Sequence, residues 1–181
     1  MKVVIINGLP RSGKDTFVGA CTIAYRPGIV YNVSTVDFVK DVARFCGWEG
    51  KKEPKDRKFL SDLKDILTEW NEIPMLKVKE RLREIEERAD LLEIKEPVVF
   101  IMCREPKEIE KLKNEFNATT VFIQRDAVEG IEQSNHADAD VFDYNYDITI
   151  HNNGNLSALN RIAESFMNES LKGVASFALN Y

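Results

Sequence analysis

Cysteine is scarce in this sequence, and the three cysteines lie far apart. Cys21, Cys46 and Cys103 are odd in number and lack the paired spacing of a zinc site, which argues against a disulfide framework and for a reducing, cytoplasmic setting. Long apolar runs are also lacking, so we expect no membrane-spanning segment and no membrane partner. Met1 and Lys2 lead directly into the strand-like run at residues 3–6, which is too short for a signal peptide and lacks a cleavage region of small residues, so we expect no signal peptide.

An excess of positive charge is lacking as well. The 25 Lys and Arg residues are outnumbered by 30 Asp and Glu residues, which gives a net charge of −5. Binding to a nucleic-acid backbone needs a basic face, so we expect no nucleic-acid partner, and any phosphate ligand must meet a local basic pocket. A chain of 181 residues with 44% hydrophobic and 30% charged residues is typical of one soluble domain over residues 1–181. The oligomeric state stays open, with a homodimer as one option.

Short β-branched runs alternate with segments of helical periodicity along the chain. Strands are predicted over residues 2–7, 29–33, 97–102, 119–123 and 147–150. Helices are predicted over residues 17–24, 36–45, about 56–73, 76–92 and 106–116, and from about residue 156. Pro27 and Gly28 are expected to end the first helix. This alternation predicts an α/β fold with a mostly parallel sheet of about five strands.

Two of the predicted helices carry an apolar stripe that we expect to pack against the domain. The stripe of the third helix consists of Phe59, Leu60, Leu63, Ile66, Leu67 and Trp70, and leaves Arg57, Ser61, Asp62 and Asp65 more exposed. The stripe of the fourth helix consists of Val78, Leu82, Ile85, Ala89 and Leu92. The latter is too short for a coiled-coil seam, so we interpret it as one face packed on its own domain.

A glycine-rich segment joins the first strand to the first helix, and residues 8–16 read GLPRSGKDT. The N–H groups of such a turn and the positive end of the following helix dipole bind a phosphate chain. Lys14 would contact the β- and γ-phosphates of ATP, and the hydroxyl of Thr16 would hold Mg²⁺. Asp15 stands where Ser or Thr usually follows the lysine. The predicted ATP-binding residues here are Gly8, Arg11, Ser12, Gly13, Lys14, Asp15 and Thr16.

The form of this loop resembles that of nucleoside-monophosphate kinases, in which Gly-x-Pro-x-x-Gly-Lys-x-Thr is usual and with which Pro10 and Thr16 are in register. The run RSGKDT at residues 11–16 is similar to the loop of phage-type deoxynucleoside monophosphate kinases and to that of animal phosphomevalonate kinases. Both families transfer the γ-phosphate of ATP to a phosphorylated acceptor. The resemblance implies a three-layer P-loop NTPase fold with a helical acceptor-binding insertion over about 35–95 and a lid over about 125–146.

Further short matches to the phage-type enzymes follow in the same order along the chain. Asp37 and Lys40 lie in a Ser-x-x-Asp-Phe-Val-Lys run, Arg57 precedes a Phe-Leu-Ser-Asp-Leu-Lys segment, and Arg104 with Glu108 follows the third strand. The resemblance implies that Asp37, Lys40, Arg57 and Arg104 bind the acceptor. Guanidinium groups suit phosphate oxygens because they bind them in a bidentate manner.

The last third of the chain continues the resemblance. Arg125 opens the polar segment that would form the lid, and the resemblance implies that it contacts the transferring phosphoryl group. Asn135-His136-Ala137-Asp138 is similar to a His-x-Ser-Glu segment of the same kinases, and we interpret His136 as structural. Asn152 and Gly154 lie in a turn similar to the one where such kinases hold the adenine ring.

Two parts of the chain depart from the family pattern: Ala137 and Asp138 are short variants of the Ser-Glu pair, and the end of the third strand lacks an aspartate. The third strand ends in Met102-Cys103-Arg104 instead of Asp-x-Arg, and such an aspartate commonly completes the Mg²⁺ shell. Asp15, Asp37 or a water would have to replace it. Phe38 and Trp48 stay open as aromatic residues that could stack on an acceptor base.

The sequence therefore predicts an Mg²⁺-dependent phosphotransferase that converts a nucleoside or deoxynucleoside monophosphate into the diphosphate at the expense of ATP. Lys14, Arg104 and Arg125 are the predicted catalytic residues, and Thr16 with Asp15 is the predicted metal-binding pair. Two alternatives stay open. The acceptor could be a non-nucleotide phosphate such as phosphomevalonate, or the protein could be a nucleotide-binding regulatory module with little turnover. A phage or a bacterial host is equally compatible with the sequence.

Overall fold

Five parallel strands form one sheet. The computed structural model describes residues 1–26, 28–51, 53–129 and 140–170. The strands are β1 Lys2–Asn7, β2 Val30–Ser34, β3 Val98–Met102, β4 Thr119–Gln124 and β5 Ile148–His151. Their order in the sheet is β2-β3-β1-β4-β5. The helices are α1 Lys14–Ala24, α2 Asp37–Phe45, α3 Pro54–Asn71, α4 Ile73–Leu91, α5 Pro106–Phe116 and α6 Leu156–Ser170, with short 3-10 turns at Asp126–Val128 and Asp140–Phe142. The predicted α/β fold with a parallel five-stranded sheet is confirmed.

β1 is the central strand, and alternate residues of it face opposite layers of helices. Val4 and Ile6 belong to a buried cluster with α1 and α6, whereas Val3 and Ile5 belong to a second buried cluster with α4 and α5. This alternation is the two-residue period of a strand buried on both faces. The predicted three-layer arrangement is therefore present.

Each helical layer is closed by large apolar side chains. On the α1 and α6 side, the rings of Phe17 and Phe166 meet edge to face with centroids 5.5 Å apart, and Phe17 is completely buried. On the other side, α4 buries all of its predicted stripe except Leu92, which lies just beyond the helix and is 56% exposed. The stripe of α4 thus packs on its own domain, as predicted.

The predicted stripe of α3 is wrong in part, because Leu60, Leu63 and Leu67 are only half-buried and the other three members are exposed. Phe59, Ile66 and Trp70 are 39%, 62% and 82% exposed, and the buried residues of this helix are Asp56 and Lys64. The physical reason is that α3 does not cover the sheet with its apolar face. It turns a polar face inward, toward the cavity described below.

Boundaries differ from the predictions by a few residues. α1 begins at Lys14 instead of near Phe17, because the helix starts directly at the end of the glycine-rich loop. Pro27, with which the end of that helix was associated, lies outside the described residues. Three helices, α2 to α4, separate β2 from β3. No helix within the described ranges combines the length and the apolar character needed to cross a membrane.

Candidate phosphate-binding and acceptor site

The loop between β1 and α1 needs glycine at two positions. Gly8 has a φ of 149°, and a Cβ there would lie 2.4 Å from the backbone oxygen of Ile123. Gly13 has a φ of 99°, and a Cβ there would lie 2.3 Å from Nδ2 of Asn152. Arg11 also has a positive φ, of 65°. Non-glycine residues held in this region are strained and are concentrated at functional sites.

Asn152 connects the loop to the sheet through two hydrogen bonds. Its side chain is almost buried, its Nδ2 donates to the backbone oxygen of Ser12 at 2.8 Å, and its backbone N–H donates to Gln124 O at 2.8 Å. The end of β5 is thereby tied to both the loop and β4. The sequence associated Asn152 with adenine, and the structure gives this side chain a contact to the loop backbone. Gly154 lies in the turn that follows, close to Ala158.

Asn7 joins the loop to two other parts of the chain, and sequence reasoning missed it. The Asn7 Oδ1 accepts from the backbone N–H of Gly8 at 2.8 Å, and its Nδ2 donates to the backbone oxygen of Arg104 at 3.1 Å and to the Tyr146 hydroxyl at 2.7 Å. That hydroxyl in turn donates to Val141 O at 3.0 Å. An asparagine that ends the central strand before a glycine was the available signal.

The loop has several features of an anion-binding turn. Lys14 is the first residue of α1, so its backbone lies at the positive end of the helix dipole. The Lys14 Nζ donates to the backbone oxygens of Gly8 and Leu9 at 2.6 and 2.8 Å. Ser12 Oγ is buried without a hydrogen-bond partner in the described part of the chain. The orphaned hydroxyl, the helix N-terminus and the two crowded glycines fit a phosphate chain such as that of ATP.

A cavity of about 520 Å³ lies beside the loop, at the carboxyl ends of β1, β2 and β3. Ligands of open parallel sheets bind at this edge. The described residues that line it include five basic ones, Lys14, Lys40, Arg57, Lys64 and Arg104, and three acidic ones, Asp15, Asp37 and Glu105. An acidic protein thus has a cavity in which basic groups prevail, as expected for a phosphate ligand.

Six of the predicted site residues meet in this cavity: Lys14, Asp15, Asp37, Lys40, Arg57 and Arg104. Asp37 is held at the start of α2, where its Oδ2 accepts from the backbone N–H of Ser34 at 2.8 Å and its Oδ1 lies 3.4 Å from Lys40 Nζ. α3 contributes Arg57, and the segment after β3 contributes Arg104. Four separate parts of the chain, α1, α2, α3 and the segment after β3, therefore supply cationic groups to one space.

The residues of this cavity fit Mg²⁺ in a limited way. Asp15 lines the cavity and makes no hydrogen bond or ion pair within the described ranges, whereas the carboxylates of Asp37 and Glu105 are engaged. Thr16 follows in the first turn of α1 and is exposed. Met102 also lines the cavity, but a thioether is a soft ligand that Mg²⁺ does not favour. Asp15 is therefore the cavity carboxylate that could hold the ion, whereas Thr16, the other predicted ligand, is not among the residues that line the cavity.

A buried ionic cluster forms one wall of the cavity. Lys64 Nζ contacts Glu105 Oε2, and it lies 2.8 Å from Glu108 Oε2. The Cys103 thiol is buried and lies 3.6 Å from the same Glu108 oxygen. Burial, together with the neighbouring Glu105, raises the pKa of Glu108 to about 7. Desolvation opposes the charge of Lys64, but the two carboxylates outweigh it and raise the Lys64 pKa.

Sequence reasoning gave no role to Lys64, although this residue ends the Phe-Leu-Ser-Asp-Leu-Lys segment. The signal that could have found it is the spacing of polar residues along α3. Arg57, Ser61 and Lys64 recur at intervals of four and three, which places them on one helical face. All three line the cavity.

Arg125 lies beside the glycine-rich segment of residues 8–16, which is called the phosphate loop below. Its Nη1 is 3.4 Å from the backbone oxygen of Arg11, and the side chain is exposed. Val128 and Val141, which flank the central part of the predicted lid, are buried in one cluster with Leu9 of the loop. Residues 130–139, including the Asn135-His136-Ala137-Asp138 run, lie outside the described residues.

The two aromatic candidates do not line the cavity. Phe38 lies beneath the Lys77 ammonium at 5.4 Å from its ring centroid. The Trp48 indole N–H donates to Lys51 O at 3.1 Å, and the Arg44 guanidinium lies over the ring. Within the described ranges, no aromatic side chain lines the cavity.

Comparison with solved structures shows the fold. A gluconokinase from Sinorhizobium meliloti matches with a TM-score of 0.50 and 13% identity, covering 95% of this chain and 94% of that one. A shikimate kinase from Aquifex aeolicus has a TM-score of 0.46 and 15% identity, with 95% and 99% covered. An APS kinase from Mycobacterium tuberculosis has a TM-score of 0.42 and 14% identity, with 92% and 96% covered. No protein-family model matches the chain, and no curated protein is similar to it in sequence. The likeness to the gluconokinase is one of fold, an α/β arrangement of helices around a parallel sheet.

Proposed function

We propose that the protein is a kinase that transfers the γ-phosphoryl group of ATP to a small phosphorylated acceptor. The observation that carries this proposal is the single cavity into which the phosphate loop and the acceptor candidates both open. Lys14 and Asp15 come from the loop, and Arg57 and Arg104 come from α3 and from the segment after β3. Donor and acceptor groups can thus meet in one space.

The residues of the cavity would act by positioning and by charge neutralisation. An acceptor phosphate is already ionised at neutral pH, so its oxygen needs no general base. Arg57 and Arg104 would each bind it through a planar guanidinium, and Lys40 would add charge. Lys14 would turn from the carbonyl oxygens of Gly8 and Leu9 toward the transferring phosphate. Mg²⁺, held by Asp15 and Thr16, would neutralise the phosphate oxygens of the donor.

A nucleoside or deoxynucleoside monophosphate is the acceptor we propose first. The support is the resemblance of the 11–16 run to the loop of phage-type deoxynucleoside monophosphate kinases, and the convergence of Asp37, Lys40, Arg57 and Arg104 on one cavity.

A non-nucleotide phosphate is the second candidate, and one observation favours it. The described wall of the cavity has no aromatic side chain on which a base could stack. Stacking is a common source of affinity for a nucleobase. Its absence from this wall suits a compact acceptor such as phosphomevalonate.

A coupled assay of ADP release separates these candidates. The protein, ATP and Mg²⁺ are combined with each nucleoside and deoxynucleoside monophosphate in turn, and with phosphomevalonate. We expect turnover with at least one nucleotide acceptor. Turnover with phosphomevalonate alone would select the second candidate. No ADP release with any acceptor, together with ATP binding in calorimetry, would refute the kinase and favour a regulatory nucleotide-binding module.

Two variants connect the assay to the cavity. Arg57→Gln and Arg104→Gln each remove one charged hydrogen-bonding group, worth about 1.5–3 kcal/mol, so we expect the acceptor KM to rise by about tenfold or more. Arg44→Gln is the matched control, because Arg44 lies on α2, is exposed and pairs with Asp41 outside the cavity. Equal acceptor KM values for all three variants would show that the cavity is not the acceptor site.

A further inference from the structure

α3 turns its charged face toward the cavity and leaves much of its apolar face in solvent. Lys64 is the most deeply buried cation of this face, with a side-chain exposure of 7%. Its ammonium contacts both Glu105 and Glu108, whose side chains are 26% and 13% exposed. Three charged groups are therefore removed from most of the solvent at the edge of the cavity.

The partners of Lys64 lie immediately after Arg104. Glu105 precedes the first residue of α5, and Glu108 belongs to its first turn. On its other side, the Arg104 backbone oxygen accepts the hydrogen bond from Asn7. The segment that carries Arg104 is thus held between the central strand and α3.

Stability alone is a poor explanation of this cluster. Burying an ion pair costs desolvation that its attraction often fails to offset, and apolar residues of similar volume frequently stabilise a protein as well or better. The remaining core of the protein is apolar on both faces of the sheet. The buried charges are instead placed where α3, with Arg57, meets the segment that carries Arg104.

We propose that Lys64 is a positioning residue of the acceptor site: by holding Glu105 and Glu108 against α3, it sets the separation between the Arg57 and Arg104 guanidiniums. This inference rests on the proposed function, in which those two groups bind one phosphate. A guanidinium pair binds a phosphate well only when both planar groups reach it at once, so a shift on the order of 1 Å is costly.

The test measures the binding of inorganic phosphate as well as turnover. The Nε–Hε resonances of Arg57 and Arg104 are followed by NMR during a phosphate titration, and are assigned with the Arg57→Lys and Arg104→Lys variants. In Lys64→Met we expect the Kd for phosphate to rise by about tenfold or more. The acceptor KM should rise in parallel, while the Kd for ATP measured without acceptor stays at the wild-type value.

A triple variant separates position from charge. Lys64→Met leaves two neighbouring carboxylates without their cation, so it is destabilised by charge alone. Adding Glu105→Gln and Glu108→Gln removes that repulsion and makes this wall less negative than in the wild type. We expect urea unfolding to show recovered stability, whereas the phosphate Kd stays raised. Recovery of the phosphate Kd in the triple variant would reduce Lys64 to a charge-balancing residue and overturn the proposal.

Lys58→Met is the matched control, because Lys58 lies on the same helix and pairs with Asp62 in solvent. It should leave the phosphate Kd unchanged. A wild-type phosphate Kd in Lys64→Met would overturn the positioning role, and so would a wild-type protein whose Arg57 and Arg104 resonances do not respond to phosphate. Failure of the kinase proposal can be distinguished from failure of the positioning role. In that case the wild-type protein would bind phosphate at both arginines, and ADP release would not depend on any acceptor.

Discussion

Gly13 lies in the phosphate loop at a position with no room for a side chain, and a single methyl group tests why. In Gly13→Ala the new Cβ would be placed 2.3 Å from Asn152 Nδ2, at a residue whose φ is 99°. Two costs therefore add. A non-glycine residue in this backbone region costs about 1–2 kcal/mol. Displacing the Asn152 amide breaks its hydrogen bond to the buried backbone oxygen of Ser12. The loss costs about 1–3 kcal/mol when that acceptor is left unsatisfied.

We expect Gly13→Ala to lower the free energy of unfolding by about 2–5 kcal/mol. Gly47→Ala is the matched control, because Gly47 has a similar φ of 93° and no atom within 4 Å of its Cβ position. It should show the backbone cost alone, about 1–2 kcal/mol. The difference between the two variants measures the contact with Asn152. Urea unfolding, fitted as a two-state transition with the slope m compared between variants, provides the values.

A double-mutant cycle completes this test. Asn152→Ala also loses the hydrogen bond to Ser12, so the Gly13→Ala/Asn152→Ala double variant loses it only once and has no clash. The double variant should therefore be more stable than the sum of the single effects predicts, by about 1–3 kcal/mol. Effects that add to within about 0.5 kcal/mol would refute the assigned contact between these residues.

Three further predictions concern other parts of the molecule. Arg125→Ala should lower kcat by a factor on the order of 10², with little change in ATP affinity measured without acceptor. The reason is that the contact of Arg125 with the transferring phosphoryl group would form mainly in the transition state. A wild-type kcat would show that Arg125 is an ordinary surface residue. Because burial raises the pKa of Glu108 from the ordinary value of 4.5 to about 7, the free energy of unfolding should fall as pH rises through this interval. Glu108→Gln should abolish that component in urea melts at acid and alkaline pH. A difference between wild type and variant that is constant with pH would contradict the assignment. Trp70→Ala should change the free energy of unfolding by no more than about 0.5 kcal/mol, since the side chain is 82% exposed; a large loss in the same urea assay would mean that Trp70 is covered in solution.

The sheet was predictable because its central strands are buried on both faces. Runs such as residues 98–102 are continuously apolar and rich in β-branched residues, and this pattern does not depend on how the rest of the chain is arranged. The loop at residues 8–16 was predictable for a similar local reason, since its glycines, lysine and hydroxyl are adjacent in sequence. The two asparagines that hold this loop were not predictable. Asn7 and Asn152 are far apart along the chain, and only the parallel pairing of β1, β4 and β5 brings them to the same loop.

The α3 helix was predicted in place but with the wrong face inward. An amphipathic pattern normally indicates which side of a helix packs on the core, and the apolar stripe from Phe59 to Trp70 is the stronger of the two patterns in this segment. The competing pattern, Arg57, Ser61 and Lys64, has only three members. Its orientation is decided by partners outside the helix, Glu105 and Glu108. A pattern within one helix contains no information about those partners.

The inverted face of α3 has an energetic consequence for the acceptor site. No apolar residue of this helix is fully buried, so polar contacts contribute to its position. Its first turn is capped by Asp56, which accepts the Glu53 N–H at 3.1 Å, and its middle is held by Lys64. Segments with few buried apolar contacts are those that open most readily in native proteins. An anionic acceptor bound between Arg57 and Arg104 would add a contact that joins α3 to the segment after β3. Order in α3 and occupancy of the acceptor site should therefore be coupled, and α3 is the element through which an acceptor would complete the active site.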